Sequence, residues 1–290
     1  MTTADIIKKV RRIEIKTRGL SNHIFSGQYH SAFKGRGMSF SEVREYAPGD
    51  EVRTIDWNVT ARFSTPFIKV FEEERELTVM LLIDISNSSL LGTRGQHKRD
   101  VLTEIAAVLS FSAINNNDKV GVIFFSDKIE KYIPPKKGKS HILRIIRELL
   151  TIEPSSGTGT DIGQCLEFFN NASHRRTITF LLSDFFSLPF HEPLKLTARR
   201  HDFVGIQVYD PVDEAIPDIG MALVQDSETG HTHWLDTGER SIRKYYQDIF
   251  LQRQTYCKNA FQKSGAALLS MRSDEDYVKR LKGFFMGRMA

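Results

Sequence analysis

The most constraining feature of this 290-residue chain is Leu77–Ile85 (LTVMLLIDI), an almost unbroken apolar run that carries a carboxylate near its end. A strand with one wet face alternates apolar and polar residues. A continuous run reads instead as a strand covered on both faces, as in the interior of a parallel sheet. The chain beyond it keeps a strand–helix rhythm. Lys98–Asn115 places Val101, Ile105, Val108, Leu109 and Ser112 at helical spacing, and Asn116, Asn117 and Asp118 break it. Lys119–Phe125 (KVGVIFF) is a second strand, and Ile129–Ile133 a short third one closed by Pro134 and Pro135. His141–Leu150 is an amphipathic helix, Glu153–Thr160 (EPSSGTGT) a loop, and Asp161–Asn171 a helix with a carboxylate at the positive end of its dipole. Thr177–Leu182 and Phe203–Val208 are the fourth and fifth strands. Met221–Gln225 and His231–Leu235 flank a turn and form an added hairpin. A long helix at Ser241–Ser264, a strand at Ala266–Ser270 and a helix at Asp274–Phe285 complete the series.

This alternation predicts an α/β fold with a doubly wound, mostly parallel sheet over 77–290, with the hairpin at about 221–235 as an insertion. Residues 1–76 lack the rhythm. Gly27, Gly35, Gly37 and the turn Ala47-Pro48-Gly49-Asp50 punctuate short segments there, which predicts a separate small N-terminal module. In doubly wound sheets, ligands sit beyond the carboxyl ends of the strands. Three strand-end loops therefore matter: just after Ile85, around Thr158–Asp161, and just after Leu182.

The three loops carry one kind of chemistry. The first holds Asp84, Ser86 and Ser88 in a D-x-S-x-S pattern, the second Thr160 beside Asp161, and the third Asp184. Two carboxylates and three hydroxyls, with no His or Cys among them, suit a hard dication such as Mg²⁺; Mn²⁺ fits the same oxygens. A dication held mostly by neutral hydroxyls keeps positive charge to offer an outside carboxylate. No nucleophile–base pair of the kind covalent catalysis requires stands among them. With 18 Asp and 23 Ser in the chain, about 0.1 chance matches to D-x-S-x-S are expected. The competing reading is that Ser86 and Ser88 cap the next helix while Asp184 makes a buried hydrogen bond.

DISNS after a buried strand, GTGTD before a helix and LLSD after another strand resemble a von Willebrand factor A domain. Its metal-ion-dependent adhesion site implies Asp84, Ser86, Ser88, Thr160 and Asp184 as ligands, with Thr160 favoured over Thr158 because it directly precedes the Asp and the helix. Ser26–Phe40, Val43–Arg62 (VREYAPGDEVRTIDWNVTAR) and Lys69–Glu76 resemble the bacterial domain-of-unknown-function fifty-eight family, in which such segments precede an A-type domain. Longer members carry membrane segments, so this chain resembles the short soluble form. Ser89 stands where many members have Met. The resemblance implies a partner: a MoxR-type AAA+ ATPase, or its client, in maturation, metal insertion or stress tolerance.

Composition excludes other classes. With 40% hydrophobic and 26% charged residues, the chain is neither disordered nor fibrous. Its apolar runs of five residues fall far short of the roughly 20 a membrane span needs. Two cysteines without a CxxC fit a reducing cytoplasm rather than a disulfide framework. The charge surplus lies in residues 1–70, with 12 Lys and Arg against 7 Asp and Glu. It reads as the solvated face of a helix whose other side carries Ile6, Ile7, Val10 and Ile13; a nucleic-acid surface is the alternative. A second alternative, a haloacid-dehalogenase-type phosphoryl-transfer enzyme, needs a second Asp where Ser86 stands. Other motifs have bland readings. Gly138-Lys139-Ser140 lacks the first Gly of a phosphate loop, Asp236-Thr237-Gly238 is a single copy, and His231 and His233 lack a third ligand. Arg53, Asp56 and Trp57 are expected to supply an ion pair and an anchor. The sequence thus predicts a non-enzymatic, metal-dependent protein-binding module.

Overall fold

The computed structural model describes residues 8, 10–14, 39–63, 65–72, 77–93, 97–153, 159–226 and 231–288. Two compact units divide it. One is residues 34–77; the other is 78–290 grouped with the N-terminal segment 1–33.

In the smaller unit, β1 (Ser39–Glu45) pairs antiparallel with β2 (Phe67–Glu72), Ser39 opposite Glu72 and Glu45 opposite Phe67. Between them lie a 3-10 turn (Val52–Thr54) and helix α1 (Trp57–Phe63). The Pro-Gly-Asp turn has a physical basis. Gly49 adopts φ +111°, a backbone that favours glycine. Asp50 accepts both Arg44 guanidinium nitrogens at 2.8 Å and the Ala47 N–H at 2.8 Å. Asp56 accepts the Asn58 and Val59 N–H groups at the start of α1 and pairs with Lys69 at 3.4 Å, not with Arg53. Trp57 is 68% exposed.

The larger unit is built on a six-stranded sheet of β3 (Thr78–Asp84), β4 (Lys119–Phe125), β5 (Ile129–Lys136), β6 (Ile178–Ser183), β7 (Asp202–Tyr209) and β10 (Ala267–Arg272). The spatial order is β10-β7-β6-β3-β4-β5. All pairs are parallel except β4–β5. The predicted doubly wound sheet is therefore present, and its order reverses between the adjacent strands β3 and β6, the switch point at which such sheets bind ligands. The apolar runs behave as expected: β3 is buried from Val79 to Asp84 and β6 throughout. β5 runs through Pro134 and Pro135 instead of ending before them. It is an edge strand, where a residue without an N–H costs no ladder bond.

The helices are α2 (Lys98–Asn115), α3 (Lys139–Thr151), α4 (Ile162–Ala172), α5 (His191–Arg200), α6 (Pro211–Glu214), α7 (Arg240–Ser264) and α8 (Tyr277–Gly287). α2 is buried beyond the expected stripe, Ala106, Ala107, Ser110 and Ala113 included. The core on one side of the sheet joins Met80, Leu82, Ile123 and Leu181 to Leu166, Phe169, Phe190 and Phe261 from the helices. β8 (Met221–Gln225) and β9 (Thr232–Asp236) form the separate hairpin. Residues 10–14 are helical with Ile13 buried and Arg11 and Arg12 exposed, and Glu14 pairs with Lys139 at 2.6 Å. The other residues of the basic cluster, Lys8 excepted, up to Arg36 lie outside the described residues, as do Thr158 and Gly27, Gly35 and Gly37.

Candidate functional site

β3 and β6 lie side by side, so the parallel register that pairs Ile83 with Leu182 delivers Asp84 and the Ser183-Asp184 pair to the same edge of the sheet. Ser183 Oγ donates to Asp84 Oδ2 at 2.6 Å and accepts the Phe185 N–H at 2.9 Å. Asp84 Oδ1 accepts the Ser86 N–H at 2.9 Å. The loop then tightens into a 3-10 turn (Asn87–Leu90), closed by Ser89 Oγ donating to the Ser86 carbonyl at 2.7 Å. This turn directs two hydroxyls together, Ser86 Oγ and Ser88 Oγ being 3.0 Å apart.

Asp184 is held on both oxygens. Oδ1 accepts the Phe186 N–H at 3.1 Å, and Oδ2 accepts Lys98 Nζ at 2.8 Å. Lys98 belongs to the first turn of α2, and its side chain is only 2% exposed. It also donates to Asp213 Oδ2 at 3.1 Å. Phe185 adopts φ +61° while its ring packs against Phe190 and Phe261, with centroids 5.8 and 5.5 Å away. A left-handed backbone at a bulky residue costs about 1–2 kcal/mol, offset here by that burial.

Thr160 follows Gly159, whose φ is +115°. Its neighbours fix the loop: the Asp161 N–H donates to the Ser126 carbonyl at 2.9 Å, and the Ile162 N–H donates to Ser187 Oγ at 3.1 Å, in the loop after β6. Asp161 caps α4 by accepting the Gln164 N–H at 2.9 Å. Thr160 Oγ1 is buried with no hydrogen-bond partner. A buried hydroxyl left unpaired costs about 1–3 kcal/mol, a cost that a ligand atom or an ordered water would relieve.

The site's electrostatics are asymmetric. Burial, with the Asp184 charge adding to it, raises the Asp84 carboxyl to about 6. Burial also pushes Asp184 up, but the Lys98 charge and hydrogen bond, with the Phe186 N–H and Ser88 hydroxyl, hold it below the usual carboxylate range. Burial pulls the Lys98 ammonium down, and Asp184 and Asp213 together outweigh it and raise it.

Asp84, Ser86, Ser88 and Asp184 are thus linked by hydrogen bonds and charge, whereas Thr160 lies in a loop tied to the segment after Asp184 by the Ile162–Ser187 bond, and its hydroxyl bonds none of the four. These five are the residues selected from sequence. The family model described as "Protein of unknown function DUF58" matches residues 42–256, most of the chain. The chain belongs to the DUF58 family. An uncharacterized Mycobacterium tuberculosis protein, Rv1480, is 28% identical over 285 residues, covering 96% of this chain and 88% of that protein. The uncharacterized protein YeaD of Bacillus subtilis is 28% identical over 122 residues, 42% of this chain and 27% of YeaD. Among solved structures, the conserved hypothetical protein BatB of Bacteroides thetaiotaomicron shares the fold at a TM-score of 0.51 and 18% identity, covering 73% of this chain and 98% of that one. The SpRpn10 VWA domain also matches, at a TM-score of 0.39, 10% identity, and coverage of 71% and 94%. The DUF58 chain thus shares a mostly parallel α/β fold with BatB. No helix among the described residues is long and apolar enough to cross a membrane.

Sequence reasoning missed three participants in this DUF58 site. Ser183, the last residue of β6, ties the two strand ends together. Lys98 lies three, four and seven residues before Val101, Leu102 and Ile105, in phase with the buried face of α2; a lysine at that phase signals a buried counterion. Asp213 belongs to a capping box at the start of α6, with Asp210 as the cap. The string D-P-V-D after a strand is the signal that locates it.

Proposed function

We propose that this DUF58 chain is a non-enzymatic, cation-dependent protein-binding module of the cytoplasm. In this reading Asp84, Ser86, Ser88, Thr160 and Asp184 hold Mg²⁺ or Mn²⁺, and a carboxylate of a protein partner completes the site. The observation that carries it is the buried Thr160 hydroxyl, without a hydrogen-bond partner and two residues before Ile162, whose N–H bonds Ser187 in the loop that follows Asp184. The donor set fits a hard dication, since every candidate donor is oxygen and only two are carboxylates. A dication bound there supplies an electrophilic centre with a coordination position that the incoming carboxylate fills. Asp84 and Asp184 give anionic oxygens, the three hydroxyls give neutral ones, and Ser183 and Ser86 keep Asp84 oriented.

Phosphoryl transfer is less well supported. Both oxygens of Asp84 are engaged in hydrogen bonds, and Ser86 stands where that chemistry needs an acid. The family resemblance supports a MoxR-type AAA+ ATPase, or its client, as the partner. The test is binding of a purified MoxR-type ATPase encoded beside a DUF58 gene, followed by biolayer interferometry in Mg²⁺ and in EDTA. Wild type is expected to bind in Mg²⁺ alone, and Thr160→Ala to lose at least about tenfold in affinity, since even groups that only support metal ligands cost about that much when removed. Equal binding by Thr160→Ala, or binding undiminished by EDTA, overturns the reading.

A further inference from the structure

Lys98 holds a position that a simple cation site does not require. Its ammonium sits on the carboxylate proposed as a ligand, at 2.8 Å from Asp184 Oδ2, and is shared with Asp213 Oδ2 at 3.1 Å. Asp184 and Asp213 are both nearly closed to solvent, with side chains 2% and 11% exposed, so this charge contact is poorly screened. Asp213 is fixed independently of Lys98: its Oδ2 also accepts the Asp210 N–H at 2.8 Å. Asp210 in turn is locked by Thr93, whose hydroxyl and N–H both donate to it. The ammonium therefore lies between one carboxylate that faces the crevice and one that is part of the scaffold.

We propose that Lys98 is a built-in competitor of the divalent cation, and that Asp213 sets how strongly it competes by holding the ammonium partly away from Asp184. The inference rests on the metal-site reading above and names its regulation. With Lys98 present, one of the two site carboxylates is neutralised before a cation arrives, so the cation is held loosely. A partner carboxylate then contributes a larger share of its coordination, which makes loading conditional on the partner. Asp213 keeps Lys98 paired when Asp184 turns to the cation, so no buried ammonium is stranded.

The charge arithmetic gives opposite signs for two variants. Lys98→Met removes the competitor at nearly constant length. Asp213→Asn leaves the ammonium with Asp184 alone, while the amide oxygen still accepts the Asp210 N–H, so this variant keeps the fold's buried ion pair. The experiment is a titration of Mn²⁺ alone into the full chain, with free Mn²⁺ read by electron paramagnetic resonance, for wild type, both variants and Thr160→Ala. Lys98→Met is expected to bind about tenfold or more tightly, and Asp213→Asn several-fold more weakly, as one unit charge acting over several ångströms through an effective dielectric near 20 requires. If Lys98→Met binds more weakly, or Asp213→Asn is unchanged or tighter, Lys98 is not a competitor and the proposal fails while the metal site stands. If Lys98→Met does not fold, Asp213→Asn alone decides by the same sign. If Lys98→Met, freed of the competitor, binds no Mn²⁺, or binds it no better than Thr160→Ala, the metal-site reading itself fails.

Discussion

The ends of β3 and β6 carry the same side chain at the same depth, yet the two carboxylates differ in character. Asp84 is bound by neutral donors, the Ser86 N–H and hydroxyl and the Ser183 hydroxyl, and burial with the neighbouring Asp184 charge lifts it to about 6. Asp184 is equally buried but faces Lys98, and it is held below the usual range. Hydrogen bonds from neutral groups do not offset desolvation here; a full counter-charge does. The lesson is that in a closed crevice the presence of a counter-charge decides in which direction a carboxyl is shifted.

The largest effect is expected from removing that difference. Lys98→Met in metal-free buffer leaves Asp184 and Asp213 buried without compensation, a loss on the order of 3–5 kcal/mol, measured by urea unfolding followed by circular dichroism. Excess Mn²⁺ is expected to restore much of the loss in the variant, because the cation returns positive charge to the same carboxylate. A variant as stable as wild type without metal would mean that the Lys98 pairs contribute little and that the contrast between the strand ends has another origin.

The opposite end of β6 sharpens the contrast. His201 is nearly closed to solvent, and its Nδ1 accepts the Thr177 N–H at 3.3 Å, so the ring is neutral in that arrangement. Burial first, then the charges of Arg200 and Arg176, lower it from 6.5 to about 4. The folded state resists a proton that the unfolded chain accepts below about pH 6.5. Stability is therefore lost as pH falls from about 6.5 toward 4, by no more than about 3 kcal/mol, and levels off below that window. His201→Asn is expected to lack this component when urea midpoints near pH 7 and near pH 4.5 are compared. An identical pH dependence in wild type and variant would show that His201 titrates normally.

These contrasts were unequally legible in the chain. The framework was readable because β3, β4 and β6 are buried on both faces and leave unbroken apolar runs, and because D-x-S-x-S must follow such a strand to matter. α5 escaped: of its ten residues only Leu194 and Thr197 are buried, and Pro193 falls in its first turn, where a proline is tolerated. The extension of β5 through two prolines depended on its place at the sheet edge, which local sequence does not encode. The five candidate ligands were visible as short motifs. Their supports were not, since Lys98 and Asp213 are 115 residues apart and meet only when α2 and α6 are brought to the same crevice.

The smallest effect concerns a second cation beside the same loop. The Phe186 ring has Lys98 Nζ 6.0 Å from its centroid and the Arg253 guanidinium 3.7 Å away. Arg253 is the better placed of the two for a cation–π contact, but it is exposed on α7, where such a contact contributes about 0.5–1 kcal/mol. Distance to the ring and burial therefore rank the two cations in opposite order. If burial governs, Arg253→Ala shifts the urea midpoint by an amount equivalent to no more than about 1 kcal/mol, and changes Mn²⁺ affinity by less than about twofold, because water and salt screen an exposed charge. If Arg253→Ala instead destabilises the protein as much as Lys98→Met, proximity to Phe186 outweighs burial, and the charge on Asp184 must be set by the whole rim of the crevice rather than by Lys98.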